Sequence, residues 1–240
     1  MCEKCGCGDP ELVPVEVQGH ILAGNDHTAQ HNREHFVEAG VLAINLMGSP
    51  GAGKTAILEA TARYQKDLRL SALAGDLATD RDAARLAKAG IPSLAITTGH
   101  ACHLDAKMVH DALHDLPING LDILFVENVG NLVCPAVYDL GQAANVVALS
   151  ITEGEDKPLK YPTMFRKADL VLLTKIDLLP HLEVDVDAIK DALARSMPDP
   201  RVIMVSAKTG EGVPEWLAWL AERRARTPKV THAHAHAHHH

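Results

Sequence analysis

The sequence has five cysteines, and three of them, Cys2, Cys5 and Cys7, fall within the opening "MCEKCGCG". Thiols at this spacing serve as a reactive redox pair, as half of a structural zinc site, or as a metal-handling tail. The other two lie far apart in the chain. Cys102 stands in "TTGHACHLDA" with His100 and His103, and Cys134 stands in "ENVGNLVCP". A lone cysteine is ordinarily a small buried hydrophobe. Here a Cys-His pair and a second Cys both follow apolar runs that read as strands, so two loops at one sheet edge would share a soft sulfur and nitrogen donor set suited to zinc or nickel.

A second constellation handles phosphate. In "GSPGAGKT", Gly48, Gly53, Lys54 and Thr55 match G-x-x-x-x-G-K-[ST] between an apolar run and a helical pattern. Such a loop, with Gly51 and Ala52 inside it, turns backbone N–H groups inward at the positive end of a helix. Lys54 would bridge the β- and γ-phosphates, and the Thr55 hydroxyl would meet Mg²⁺. Two further runs end in acids, at Asp76 in "ALAGD" and Glu127 in "LFVEN", and either carboxylate can hold that ion directly or through water. Asp80 reads instead as a helix cap. No glutamine stands where it would orient water, which predicts slow intrinsic hydrolysis.

The base is legible as well. "LTKID" sets Thr174, Lys175 and Asp177 in a T-K-x-D form of the guanine-reading N-K-x-D pattern. The Asp177 carboxylate can accept from both N1–H and the 2-amino group of guanine, a pairing adenine lacks. The next run ends in Ser206, Ala207 and Lys208, where a backbone N–H can meet guanine O6. GTP is therefore the expected nucleotide.

The elements that must position these residues follow from the period of the text. "VLAINLMG", "RLSALAGD", "PSLAITTG", "LDILFVEN", "NVVALSIT", "DLVLLTKID" and "RVIMVSA" are short apolar runs, and amphipathic helical patterns separate most of them. That alternation predicts an α/β fold with a mainly parallel sheet covered by helices on both faces, and ligands beyond the carboxyl ends of its strands. Residues 1–36 read as a Cys/His-rich leader, mobile or semi-helical, whose His20, His27, His31 and His35 are a possible metal buffer. Residues 37–228 form the nucleotide domain, and 229–240 a His-rich tail, native or appended.

Composition narrows the function classes. With 240 residues, 47% hydrophobic and 3% aromatic, the chain fits one main aliphatic core. A formal charge of -8 and the lack of a basic stripe argue against nucleic acid. No apolar run approaches the roughly 20 residues of a membrane span, and crowded, odd-numbered cysteines do not form a secreted disulfide framework. A cytoplasmic protein is expected.

"GSPGAGKT", "GDLATDRDA", "CHLDA", "ENVGNLVCP", "TKIDLLP" and the opening "CEKCGCG" together resemble the hydrogenase nickel-incorporation GTPases, the HypB family, over nearly the whole chain. The resemblance implies a P-loop NTPase of the SIMIBI type that dimerises with GTP. It also implies work beside other nickel-maturation proteins to deliver Ni²⁺ into the large subunit of [NiFe]-hydrogenase. It further implies a zinc or nickel site at the dimer interface from Cys102, His103 and Cys134, and a tight nickel site from Cys2, Cys5 and Cys7 with the chain's own amine as a fourth ligand. Lys157 in "EGEDKPLKYP" would reach toward the partner's nucleotide or lie solvated. Other readings are a nickel storage or buffering protein, a urease-accessory GTPase, from which "CHLDA" and the cysteine leader point away, and a small-molecule P-loop kinase, which Asp177 and "SAK" oppose.

Overall fold

The computed structural model describes residues 15–76, 80–99 and 101–227. Cys2, Cys5, Cys7, His100, the side chain of His20 and the 229–240 tail lie outside the described residues.

Each predicted apolar run is a strand. They are β1 (Leu42–Gly48), β2 (Leu70–Asp76), β3 (Ser93–Thr97), β4 (Ile123–Glu127), β5 (Ala144–Ser150), β6 (Leu170–Thr174) and β7 (Val202–Val205). They form one parallel sheet in the order β3-β2-β4-β1-β5-β6-β7. The chain order reverses at β1, between β4 and β5, and a parallel sheet opens its ligand crevice at the carboxyl end of such a strand. The phosphate loop follows β1 directly.

Two-sided burial explains why the strands read as continuous hydrophobic text. Along β1, Leu42, Ile44 and Leu46 enter one core cluster, while Ala43 and Met47 face clusters on the opposite side, as a period of two requires. The first cluster is covered by α2 (Lys54–Tyr64), α3 (Arg81–Lys88) and α8 (Val213–Ala225), with Trp216 and Trp219 at its centre. Trp216 Nε1 donates to Thr61 Oγ1 at 2.8 Å, so the indole is buried without an orphaned donor. The other face carries α1 (Val15–Ala39), α4 (Ala106–Leu113), the short α5 (Lys157–Lys160) and α6 (Pro162–Arg166), and α7 (Val186–Ser196).

The described part of the leader, expected to be mobile or semi-helical, is helical. Residues 15–39 are one helix, and the expected boundary between 36 and 37 falls inside it. Its inner face is Ala29, Asn32 and Phe36, all buried, at the i, i+3, i+7 spacing of a packed helix. A buried asparagine in the middle of that stripe is what hid it from a hydropathy reading.

Candidate functional site

The phosphate loop is shaped by backbone sterics. Gly48 ends β1 at φ +145°, and a Cβ there would stand 2.4 Å from the Ala148 carbonyl oxygen. Gly53 enters α2 at φ +95°, a region that glycine alone adopts without cost. Around the loop lies a cavity of about 480 Å³ lined by Gly51, Gly53, Lys54, Thr55, Asp76 and Glu127, as the motifs predicted, and also by Asp82 and Arg85. Asp80 occupies the N-cap position of α3 but makes no capping bond through its side chain. It is Asp82, the second residue of α3, that lines the phosphate-loop cavity. Arg85 beside it is clamped by Glu59 at 2.9 Å. Asp80 thus takes the cap position expected of it, while Asp82 went unmarked in the sequence reading.

The cation-handling groups are buried and coupled. Lys54 Nζ lies 3.3 Å from the carbonyl oxygens of both Gly48 and Ser49, folded back along the loop, and burial holds its pKa below the usual lysine range. Thr55 Oγ1 donates to Glu127 Oε1 at 2.7 Å. Burial raises the Glu127 carboxyl to about 7, against the pull of the Thr55 bond and the Lys54 charge. Its second oxygen, Oε2, is buried without a hydrogen-bond partner, an arrangement that costs about 1–3 kcal/mol unless something fills the place. An oxygen-seeking divalent cation fits that position: it would meet an unsatisfied carboxylate oxygen with the Thr55 hydroxyl and Asp76 in the same cavity.

The residues expected to read the base gather at a second cavity of about 180 Å³, lined by Thr174, Lys175, Asp177, Ala207 and Lys208. Ser206 Oγ donates to Asp177 Oδ1 at 2.6 Å and so orients the carboxylate. Thr174 has a role the motif does not disclose. Its hydroxyl donates to the Ala52 carbonyl at 2.6 Å and ties the base strand to the phosphate loop. Lys175 follows at φ +62°, the one positive-φ non-glycine among the described residues, and such strain is typical of ligand clamps.

Cys102, His103 and Cys134 come together as the sequence suggested, with donor atoms all within 4.8 Å of one another. The two sulfurs are 3.0 Å apart and Cys102 Sγ is 3.8 Å from His103 Nδ1. Burial depresses the His103 pKa, which favours the neutral imidazole that binds metals. His103 stacks on Tyr138 with centroids 3.9 Å apart, a contact nothing in the sequence pattern marked.

The two sites are joined by a polar layer that sequence reading also missed. Asn131 bridges to Gly48 of the phosphate loop through backbone, and its Nδ2 donates to the Cys102 carbonyl at 3.2 Å. Asn128, directly after Glu127, accepts from the Leu104 N–H at 3.1 Å and donates to Asn45 on β1 at 3.1 Å. Each asparagine thus bonds both β1 and the Cys-His loop, Asn128 through its side chain and Asn131 through backbone and side chain together. Lys157 is engaged within the chain: its Nζ sits 3.9 Å from Glu153 Oε2 and 5.4 Å from the Tyr161 ring centroid. Glu153 in turn accepts from Ser49 of the phosphate loop at 2.5 Å.

The glycine-rich loop, the cavity beside Asp177 and the Cys₂His cluster all lie on one parallel sheet. The nucleotide-binding domain model of the CobW/HypB/UreG family matches residues 42–204. The hydrogenase maturation factor HypB of Azotobacter chroococcum mcd 1 is 51% identical over 213 residues, 88% of this chain and 69% of that protein. The chain belongs to the HypB family. The crystal structure of HypB from Helicobacter pylori in complex with nickel superposes with a TM-score of 0.81 at 40% identity, covering 88% of this chain and 99% of that one. HypB from Archaeoglobus fulgidus gives 0.78 at 39% identity over 85% of this chain and 100% of that one. As a HypB-family member the chain is a P-loop GTPase, and none of its described helices is long and apolar enough to cross a membrane.

Proposed function

We propose that this HypB-family GTPase uses its nucleotide state to govern capture and release of Ni²⁺ on the way to the large subunit of [NiFe]-hydrogenase, as a GTP-dependent dimer. The observation that carries the reading is the shared loop after β4. Glu127 at its start bonds Thr55 of the phosphate loop, and Cys134 at its end belongs to the Cys102–His103 cluster. Asn128 and Asn131 between them bond both sides. A rearrangement around the γ-phosphate therefore has a short covalent and hydrogen-bonded path to the thiols.

In this reading Asp177, with Lys175 and the Ser206–Lys208 turn, selects guanine, while Lys54 and the loop N–H groups from Gly48 to Thr55 hold the phosphates. Thr55, Asp76 and Glu127 would hold Mg²⁺, which supplies charge neutralisation between the phosphates. Cys102, His103 and Cys134 offer three donors per chain. Two copies meeting through this face would bring more than the four that tetrahedral zinc or square-planar nickel requires, and Val133 and Val137, which flank Cys134 on its loop, are exposed. Cys2, Cys5 and Cys7 would form the separate, tighter nickel site of the leader, in a cytoplasmic protein.

Sedimentation of wild type and Cys134→Ala, with a GTP analogue or GDP and with or without one equivalent of Ni²⁺, tests the coupling. Dimer is expected with the GTP analogue in wild type, tightened by Ni²⁺, and the metal effect is expected to vanish in Cys134→Ala. Equal monomer fractions under all conditions would refute it, because linkage between nucleotide and metal is reciprocal.

A further inference from the structure

Four imidazoles outside both sites converge where α1 packs against α4. His31 and His35 are four residues apart on α1, and His110 and His114 are four apart in the last turn and C-cap of α4, so each pair shares one helix face. Ring centroids are 4.7 Å apart for His31 and His35, 5.4 Å for His31 and His110, 5.9 Å for His35 and His110, and 5.1 Å for His110 and His114. Four imidazoles bound tetrahedrally to one ion, each nitrogen about 2.0–2.1 Å from it, have centroids roughly 5 Å apart. Four of the six separations among these rings, from 4.7 to 5.9 Å, lie around that value, and His114 reaches the group through His110.

The central ring is also oriented for ligation. Asn32, fully buried on α1, donates through Nδ2 to the carbonyls of Ala106 at 2.9 Å and Leu140 at 3.2 Å. Those two bonds turn its Oδ1 toward His110 Nδ1 at 3.1 Å. An amide oxygen only accepts, so Nδ1 carries the proton and Nε2 keeps its lone pair. That is the outer hydrogen bond by which metal-binding histidines are held in tautomer and direction. His31 and His114 are exposed, which leaves an entry path and room for ring rotation. Rotation is needed, since among the described residues only the Cys102, His103 and Cys134 donors already lie within 4.8 Å of one another.

We propose that His31, His35, His110 and His114 form a second transition-metal site, which takes one borderline divalent ion, Ni²⁺ or Zn²⁺, and staples α1 to α4. An all-imidazole set suits these ions and is weaker and less soft than the thiolate sets. Along the chain, α1 follows the cysteine leader and α4 begins three residues after His103.

The test is equilibrium dialysis of the full chain against Ni²⁺ alone. It compares wild type, His31→Gln/His35→Gln, His110→Gln/His114→Gln, and the fourfold variant. Because both pairs hold the same ion, each double variant is expected to lose the same single equivalent, and the fourfold variant one rather than two. The thiolate-to-nickel absorption should stay unchanged, which separates this site from the thiol sites. Since His110 also bonds Asn32, its variant can fail to fold. The α1 pair then decides by itself, with an unchanged GTP hydrolysis rate as its folding control. Unaltered stoichiometry in the α1 variant, or additive loss of two equivalents in the fourfold variant, would overturn the proposal.

Discussion

Glu127→Gln should make the nucleotide-free protein more stable at alkaline pH than wild type, although it deletes a residue of the phosphate site. Burial raises the Glu127 carboxyl from 4.5 to about 7, so the folded state binds its proton more tightly than the unfolded chain does. The stability associated with this group is fully present below 4.5, and it is lost as pH rises through 7. At 1.36 kcal/mol per unit, the whole effect is about 3 kcal/mol, of which about 2 kcal/mol falls between pH 5.5 and 8. The amide keeps an acceptor for the Thr55 hydroxyl and never ionises. Urea unfolding of both proteins without Mg²⁺ or nucleotide, at pH 5.5 and pH 8, reads the difference. The variant should gain about 2 kcal/mol relative to wild type between the two pH values. Mg²⁺ with GTP should cancel or reverse the gain, since an amide is the poorer ligand for a hard cation. A stability difference that does not change with pH would refute the reasoning, and would mean that Glu127 ionises in the ordinary carboxylate range.

Asp177→Asn should lower the preference for GTP over XTP by about 10²-fold or more, because each charged hydrogen bond to the base contributes roughly 1.5–3 kcal/mol; competition binding measures it, and unchanged selectivity would remove Asp177 from the base site. Lys54→Ala should cut GTP hydrolysis by on the order of 10²-fold or more, while nickel bound by the Cys2, Cys5 and Cys7 segment stays the same. Parallel loss of both, read by phosphate release and metal content, would show that the leader and the nucleotide domain do not act separately.

Much of the fold was legible because its signals are local. Seven apolar runs bounded by Gly, Asp and Pro could only be strands buried on both faces, and "GSPGAGKT" could only sit where a strand hands over to a helix. Lys54, Thr55, Asp177 and Ser206 could be proposed for the same reason, since the motifs that hold them are written in a few consecutive residues. The convergence of Cys102, His103 and Cys134 was also foreseen, because both segments follow strands and a parallel sheet delivers strand ends to one edge.

What tertiary structure decided is every contact between segments distant in sequence. Asp82 lines the phosphate-loop cavity from the first turn of α3, a placement that no motif spacing encodes. Asn128, Asn131 and Thr174 matter through backbone groups of other loops, and an asparagine or threonine in a polar stretch carries no sign of its partner. Helix α1 reads as a polar leader until α4 lies against it, when Asn32 is seen to be a buried connector and His31 and His35 the neighbours of His110 and His114. The sequence by itself determined the elements and the chemistry each strand end carries. Side-chain partnership across 74 or more residues, as between Asn32 and Ala106, is set by packing, because burial makes a polar group's choice of partner obligatory only after the chain has closed around it.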